Sequence, residues 1–319
     1  MQYADNQNIT DPRLNLALEE YLLRHVPAEE PILLFYVNEP SVILGRNQNT
    51  LEEIDPDYVA ENNIQVVRRL SGGGAVYHDL GNLNFSFITN GSRDLHNFRR
   101  FTEPVIRVLN ELGVPAVLHG KSDIYVDGKK ISGNAQYLAS NRMVSHGTIL
   151  FDSDLEALLR ALNPRQVQIE SKAVQSIRAV VGNVREWLPG LDIAGLRRAL
   201  LAGIFAGGPV ERVALTAVDW TRIQQIKTER YDTWEWNYGR SPHFIVQKSI
   251  SSEGVEVGAR IEVKNGRILH VTFSGLENGK ALQEQLTGLR YDPVTLAKAL
   301  HDFSSRLGLA PALVLSLLY

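Results

Sequence analysis

Gly72, Gly73 and Gly74 stand in a row inside the stretch Arg68 to Phe87, RRLSGGGAVYHDLGNLNFSF, with two arginines just before them. Glycine reaches backbone angles closed to other residues and lets a ligand approach the main chain. Open N–H groups beside guanidinium groups suit a phosphate or a carboxylate. The glycines alone equally allow a tight loop between two strands. No Gly-Lys-Ser/Thr follows, which excludes a nucleotide P-loop, and neither the spacing nor a following helix fits a dinucleotide fingerprint.

A second group lies in Lys121 to Gln136, KSDIYVDGKKISGNAQ. Asp127-Gly128 sits between two alternating runs and reads as a two-residue hairpin turn. The turn sets a register in which Val126 pairs with Lys129, Tyr125 with Lys130, Ile124 with Ile131 and Asp123 with Ser132. Lys121, Asp123, Tyr125, Lys130, Ser132 and Asn134 then share one face, and Ile124, Val126, Ile131 and Gly133 the other. One side is core; the other is either a polar site or a solvated surface. His146-Gly147-Thr148 falls in a strand-like run, where a lone histidine is as a rule structural, and no histidines are spaced as metal ligands.

The rest of the composition narrows the chemistry. The chain has no cysteine, so disulfides, cysteine metal sites and thiolate nucleophiles are excluded. A formal charge of -3 over 319 residues lacks the basic excess of a nucleic-acid binder. The opening MQYADNQNITDP shows no signal-peptide pattern, and no apolar run reaches membrane-spanning length, so a cytoplasmic protein without a membrane or nucleic-acid partner is expected.

The elements that must position these groups are legible in outline. Asp11 caps a first helix, Pro12 suits its first turn, and Leu14, Ala17, Leu18, Tyr21 and Leu22 form its packing face. Strand-like runs at 32–37, 41–45, 64–70 and 84–88 read as one mixed sheet. Thr102 and Pro104 open a helix that Gly113 closes. Further helices start at Asp152 or Ser153 and at Asp192. The segment Trp234 to Pro242 (WEWNYGRSP) reads as a loop closing a large unit, after which come short strands, a hairpin at Asn265-Gly266, and helices near Lys280 and at Asp292-Pro293. The boundaries are therefore 1–242 for a large domain and 243–319 for a small one.

Taken together, DPRLNLALEEYLL (Asp11 to Leu23), VILGRNQN (Val42 to Asn49), the glycine-rich stretch, DGKKISGNAQ (Asp127 to Gln136) and HGTILFDSDL (His146 to Leu155) resemble the lipoate-protein ligase family in order and spacing across nearly the whole chain. WEWNYGRSP is similar to the bacterial ligases in which an accessory domain follows. The resemblance implies an α+β fold: a mixed-sheet catalytic domain like that of biotin- and lipoate-protein ligases, with a small α/β accessory domain at the C-terminus. It implies activation of lipoate, or octanoate, by ATP with Mg²⁺ to an acyl-adenylate, and transfer to a lysine of a carrier. The carriers implied are lipoyl domains of 2-oxoacid dehydrogenase E2 subunits and the glycine-cleavage carrier protein.

Residue roles carry over from the same likeness. Lys130 matches the essential lysine near the acid's carboxylate and the α-phosphate. Arg69, Ser71, Gly72, Gly73, Gly74 and Lys130 would hold the lipoate. Arg69, Gly74, Ala75, Val76, Tyr77, His78, Asn82, Asp123, Lys130, Ser132, His146 and Thr148 would line the nucleotide site, with Asp123 also on Mg²⁺. Two positions depart from the pattern. Gly120-Lys121-Ser122-Asp123 stands where the family commonly has Gly-Arg-Asn-Asp, which removes a guanidinium and an amide, and Val180 stands where an arginine is frequent. An acyltransferase of the same fold would use a cysteine nucleophile, which is missing, and the Gly-Arg-rich loop of biotin ligases is not seen. A non-catalytic lipoate or nucleotide binder is the reading that the Lys121-Ser122 change leaves in play.

Overall fold

The computed structural model describes residues 1–27, 29–139, 141–164, 168–252, 255–276, 278–303 and 310–319. In chain order the elements are β1 (Gln2–Asp5), α1 (Pro12–Arg24), β2 (Ile32–Val37), β3 (Ser41–Leu44), α2 (Pro56–Glu61), β4 (Gln65–Arg68), β5 (Val76–His78), β6 (Asn82–Asn90), α3 (Phe98–Glu111), β7 (Val117–His119), β8 (Asp123–Val126), β9 (Lys129–Ser132), β10 (Asn134–Ala139), β11 (Arg142–Leu150), α4 (Leu155–Ala161) and β12 (Gln168–Ser171). They continue with α5 (Ile193–Ile204), α6 (Ala217–Ile226), α7 (Trp234–Asn237), β13 (Phe244–Ser252), β14 (Val255–Lys264), β15 (Arg267–Ser274), α8 (Gly279–Leu286), α9 (Pro293–Asp302) and α10 (Pro311–Leu318). No helix of the described residues is long and apolar enough to cross a membrane.

The chain divides into two compact units: Met1–Arg46 with Ile54–Asn163 and Ser176–Thr233, and Asn47–Glu53 with Pro164–Gln175 and Trp234–Tyr319. This division differs from a single cut after Pro242. WEWNYGRSP is not all loop: Trp234–Asn237 forms the short helix α7, and a Cβ on Gly266 would meet the Trp234 ring at 2.4 Å. Earlier segments also belong with the second unit, since Thr50 bonds Ser241 and Asn237, and Glu52 bonds Ser171 and Gln175.

In the first unit a five-stranded mixed sheet has the order β1-β2-β6-β11-β10, with β1 and β2 parallel and the other pairs antiparallel. The runs expected to share one sheet are split. β2 and β6 lie here, while β3 and β4 lie in a separate sheet ordered β4-β3-β5. Asn38-Glu39-Pro40 turns the chain between β2 and β3, and Pro40 has no N–H for a ladder. A third sheet, β7-β8-β9, carries the Asp127-Gly128 hairpin. Its apolar side, Ile124, Val126 and Ile131, enters the core with Phe85, Phe87, Val105 and Leu196.

Asp11 caps α1 as its type and place predict, taking the N–H of Arg13 at 2.8 Å and of Leu14 at 3.4 Å. α3 begins a turn earlier than expected. Thr102 bonds back to the Phe98 carbonyl instead of capping, and Pro104 sits inside the helix, forgoing one ladder bond. Gly113, at φ +94°, ends it. In the second unit β12-β13-β14-β15 form an antiparallel sheet, with Asn265 and Gly266 both at positive φ in the β14–β15 turn. Val246, Ile261 and Val271 from this sheet pack with Leu282, Leu296 and Leu317 from α8, α9 and α10.

Candidate active site

The hairpin delivers Lys130 to the polar side of its sheet. Asp127 and Gly128 both have positive φ, the signature of a two-residue turn, and Val126 pairs with Lys129 and Tyr125 with Lys130. Beyond that the register shifts: Ile124 pairs with Ser132, so Ile131 is the extra residue of a bulge. The expected pairs Ile124–Ile131 and Asp123–Ser132 are therefore not formed. The shift leaves the faces intact, because Ile131 still turns into the core. Lys130 Nζ lies 2.7 Å from Asp123 Oδ2, and both side chains remain partly exposed, at 25% and 29%.

The edge of β9 is paired by a segment that looks irregular in sequence. Lys130 N–H donates to Val180 O at 2.8 Å, and Gly182 N–H to Lys130 O at 3.1 Å. Val180 serves through its backbone, and its side chain points outward, 73% exposed. On the other side Gly133 N–H donates to Thr148 Oγ1 at 3.2 Å, while Asn134 Nδ2 donates to Ser132 Oγ at 3.0 Å and to Ser122 O at 2.6 Å. Lys130, Asp123, Ser132 and Thr148 thus belong to one frame.

The glycine loop is built around Arg69. Its guanidinium donates to Ser71 Oγ at 2.9 Å, Ile43 O at 3.0 Å, Gly72 O at 2.6 Å and Gly74 O at 2.8 Å. In a trans peptide the C=O and the following N–H point opposite ways. Arg69, by drawing in the Gly72 and Gly74 carbonyls, turns the N–H groups of Gly73 and Ala75 outward. Ala75 N–H meets Ser176 Oγ at 2.8 Å. Gly73 has φ +92°, and a Cβ on Gly45 would come within 2.0 Å of Gly73 O, so both positions need glycine.

Behind the loop runs a buried polar chain. Ser71 Oγ is 2.7 Å from His146 Nε2, and His146 Nδ1 is 3.0 Å from both carboxylate oxygens of Glu19. Ser86 donates to the same carboxylate. Burial pushes the Glu19 pKa up, but His146, Ser86 and Arg69 outweigh it and the net shift is downward. Tyr36, wholly buried, is held well above the ordinary tyrosine value by burial and by Glu19.

The arrangement offers an anion the Lys130 ammonium, whose carboxylate partner is exchangeable, and the Gly73 N–H. The matching family model is the lipoyl protein ligase A/B catalytic domain, over residues 11–205. The chain is 49% identical over 309 residues to the lipoate-protein ligase LplJ of Bacillus subtilis, covering 94% of this chain and 93% of that protein. The chain belongs to the lipoate-protein ligase family. It is 45% identical to lipoate–protein ligase 1 of Staphylococcus aureus, covering 95% and 94% of the two chains. Among solved structures it is similar to a lipoate-protein ligase A bound with ATP, with a TM-score of 0.63 at 30% identity, covering 75% of this chain and 97% of that one. A putative lipoate protein ligase from T. acidophilum with bound lipoic acid also gives 0.63 at 30%, covering 75% and 98%.

Within this ligase the residues singled out by sequence fall into distinct places. Lys130, Asp123, Ser132 and Thr148 group at the hairpin; Arg69, Ser71, Gly72, Gly73, Gly74, Ala75 and His146 group at the loop. Val76 is half-buried in β5. The Tyr77 side chain is buried: burial first, then Asp79, Asp154 and Tyr58, push its pKa up to about 12. His78 is buried against Asn38. Asn82 donates to Asn84 Oδ1 at 3.0 Å, and its own Oδ1 meets no donor among the described residues. For a magnesium ion the structure offers Asp123; among the described residues no cluster of three or more His, Asp or Glu could hold a metal. One carboxylate suits a cation that arrives already bound to phosphates.

Sequence reasoning missed Glu19 and Ser176. Glu19 had little signal: it lies off the packing face Leu14, Ala17, Leu18, Tyr21 and Leu22, and only the fold shows that α1 is buried from Asn15 through Leu23. Ser176 had none, since its role depends on a distant loop.

Proposed function

We propose that this ligase activates lipoate with ATP and transfers the lipoyl group to a lysine of a carrier protein. The observation that carries the proposal is the Lys130–Asp123 pair, 2.7 Å apart on the polar face of a hairpin whose other face is core. The family supports it, as do two relatives, one described with ATP and one with lipoic acid. The functional division we propose is a catalytic domain, 1–242, and an accessory domain, 243–319.

A carboxylate is a poor acyl donor. In the first step a carboxylate oxygen attacks the α-phosphorus of ATP, and pyrophosphate leaves to give an acyl-adenylate. Lys130 Nζ exchanges its carboxylate partner for the α-phosphate and the acid, and neutralises charge that grows in the transition state. Gly73 N–H adds an oriented donor, and Asp123 is freed to hold Mg²⁺ carried by the phosphates. In the second step the carrier's lysine amine attacks the acyl carbon and AMP leaves. No residue forms a covalent intermediate, in keeping with a chain that has no cysteine.

The acid's apolar tail contributes about 0.8 kcal/mol per buried CH₂, which discriminates chain length weakly, so octanoate is a substrate as well. The carriers are lipoyl domains of 2-oxoacid dehydrogenase E2 subunits and the glycine-cleavage carrier, and the setting is the cytoplasm. Lipoate-dependent AMP formation, with transfer to an apo lipoyl domain, tests the proposal. Transfer that requires ATP and collapses in Lys130→Ala supports it. Binding of lipoyl-AMP without any pyrophosphate release points instead to a non-catalytic binder.

A further inference from the structure

An acyl-adenylate reacts with amines, and the carrier's lysine is not the only amine near Lys130. The first unit holds four lysines: Lys121, Lys129, Lys130 and Lys227. Three are held to carboxylates: Lys129 to Glu186 at 3.7 Å, Lys130 to Asp123 at 2.7 Å, and Lys227 to Asp232 at 2.9 Å and Asp11 at 3.6 Å. An ammonium in such a pair has no lone pair with which to attack.

Lys121 is exposed in the turn between β7 and β8, just after Gly120 at φ +60°. The backbone of this turn is tied to the hairpin: Asn134 Nδ2 donates to Ser122 O at 2.6 Å, and Ser122 Oγ donates to Asp123 Oδ1 at 3.3 Å. Asp123, two residues on, is the carboxylate paired with Lys130. Two residues of chain span at most about 7 Å, and the flexible four-carbon stem of a lysine covers a similar distance. The Lys121 amine therefore has the length to reach what Lys130 binds, while its own backbone stays in place. Residue type then decides what happens there. The family commonly has an arginine at this position, and a guanidinium stays protonated in proteins and cannot attack an acyl group. A lysine that has given up a proton can.

We propose that Lys121 is a self-acylation site: with no carrier docked, its amine takes the acyl group from the ligase's own acyl-adenylate. The inference rests on the ligase reading. The Nζ lone pair attacks the acyl carbon and an N–C bond forms. The bond from that carbon to the phosphate oxygen breaks, AMP leaves with the electron pair, and the displaced amine proton passes to water. No further reactant is needed. The product is an amide, which removes the positive charge at position 121, and each chain takes the mark once.

The wild-type full chain, incubated with lipoate and Mg-ATP and no carrier, tests this by intact mass and peptide mapping, with pyrophosphate measured in the same reaction. The expected result is one lipoyl group per chain on Lys121, at least about 10-fold above the label on Lys172, Lys264, Lys280 or Lys298. Those four are also exposed and report adenylate that has escaped into solution. Label spread evenly over the exposed lysines, or carried by Lys130, overturns the proposal. Pyrophosphate release without label overturns it too and leaves the ligase reading standing; neither pyrophosphate nor label sinks the ligase reading and the proposal with it. Lys121→Arg keeps the charge but not the nucleophile, and should cut the label per pyrophosphate released by at least about 10-fold. An unchanged ratio sinks the idea. Added apo lipoyl domain, competing for the same acyl carbon, should suppress the label on Lys121; a label that ignores the carrier counts against the site.

Discussion

Lys130 and Arg69 are two cations of the candidate site, and the fold holds them in opposite ways. Lys130 is a quarter exposed on a two-residue hairpin and paired with one carboxylate. Arg69 is 6% exposed, and its guanidinium is committed to Ser71 and three backbone carbonyls. A charge that must move onto a ligand needs a partner it can exchange at small cost, and a partly solvated pair contributes only about 0–1 kcal/mol. A buried charge with its donors committed cannot move; it fixes the backbone, and through the backbone the outward N–H groups. In the proposed mechanism Lys130 does the chemistry, and Arg69 shapes the backbone of the glycine loop beside it.

The sharpest way to break this contrast is to remove each cation in turn. Lys130→Ala should lower lipoate-dependent pyrophosphate release by about 10³-fold, while the unfolding free energy changes by no more than about 1 kcal/mol. Arg69→Met should do the reverse first: unfolding in urea should show a loss of about 3–5 kcal/mol, because the carbonyls of Ile43, Gly72 and Gly74 lose their donor inside the protein. Arg69→Lys should recover little, since a point charge cannot reach four acceptors in a plane. If Arg69→Met is as stable as wild type and only its KM for ATP rises, Arg69 faces the ligand as Lys130 does and the contrast fails.

A smaller effect separates the loop's support from the hairpin. The folded-state pKa of Glu19 lies below its ordinary value of 4.5, so the ionised carboxylate, bonded to His146 and Ser86, stabilises the fold above that pH and the contribution is lost as pH falls through the lowered value. Glu19→Gln should therefore be less stable than wild type at pH 6, by about 1–3 kcal/mol, with the gap narrowing as pH drops below 4.5. A gap that stays constant with pH would mean that Glu19 supports the loop by shape alone. Lys130→Ala should show no such pH-dependent gap.

Local signals explain what could be read without coordinates. Asp127-Gly128 announces its turn, so Lys130 and Asp123 could be placed on one face; Asp11-Pro12 and Asp292-Pro293 announce helix starts for the same reason. The bulge at Ile131 was not readable, because both registers bury the same apolar residues. The split between β2–β6 and β3–β4 was hidden too, since strand pairing is a long-range choice that two similar apolar runs do not encode. The charge of Arg69 follows from its residue type, but the carbonyls of Ile43, Gly72 and Gly74 that it bonds do not.

The smallest effect is expected where the family pattern and this chain disagree most visibly. Val180 gives Lys130 a backbone carbonyl at 2.8 Å, and its side chain is largely in solvent. Val180→Arg, which installs the residue frequent at this position in the family, keeps that carbonyl. Unfolding free energy should stay within about 0.5 kcal/mol of wild type, as for other solvent-facing changes. The KM for ATP should change by less than about threefold, the scale of one exposed charge near a phosphate. A tenfold gain in ATP affinity would show that a side chain here reaches the phosphates. The segment 176–183 would then act as Lys130 does, on the ligand, and not as Arg69 does, on the protein's own backbone.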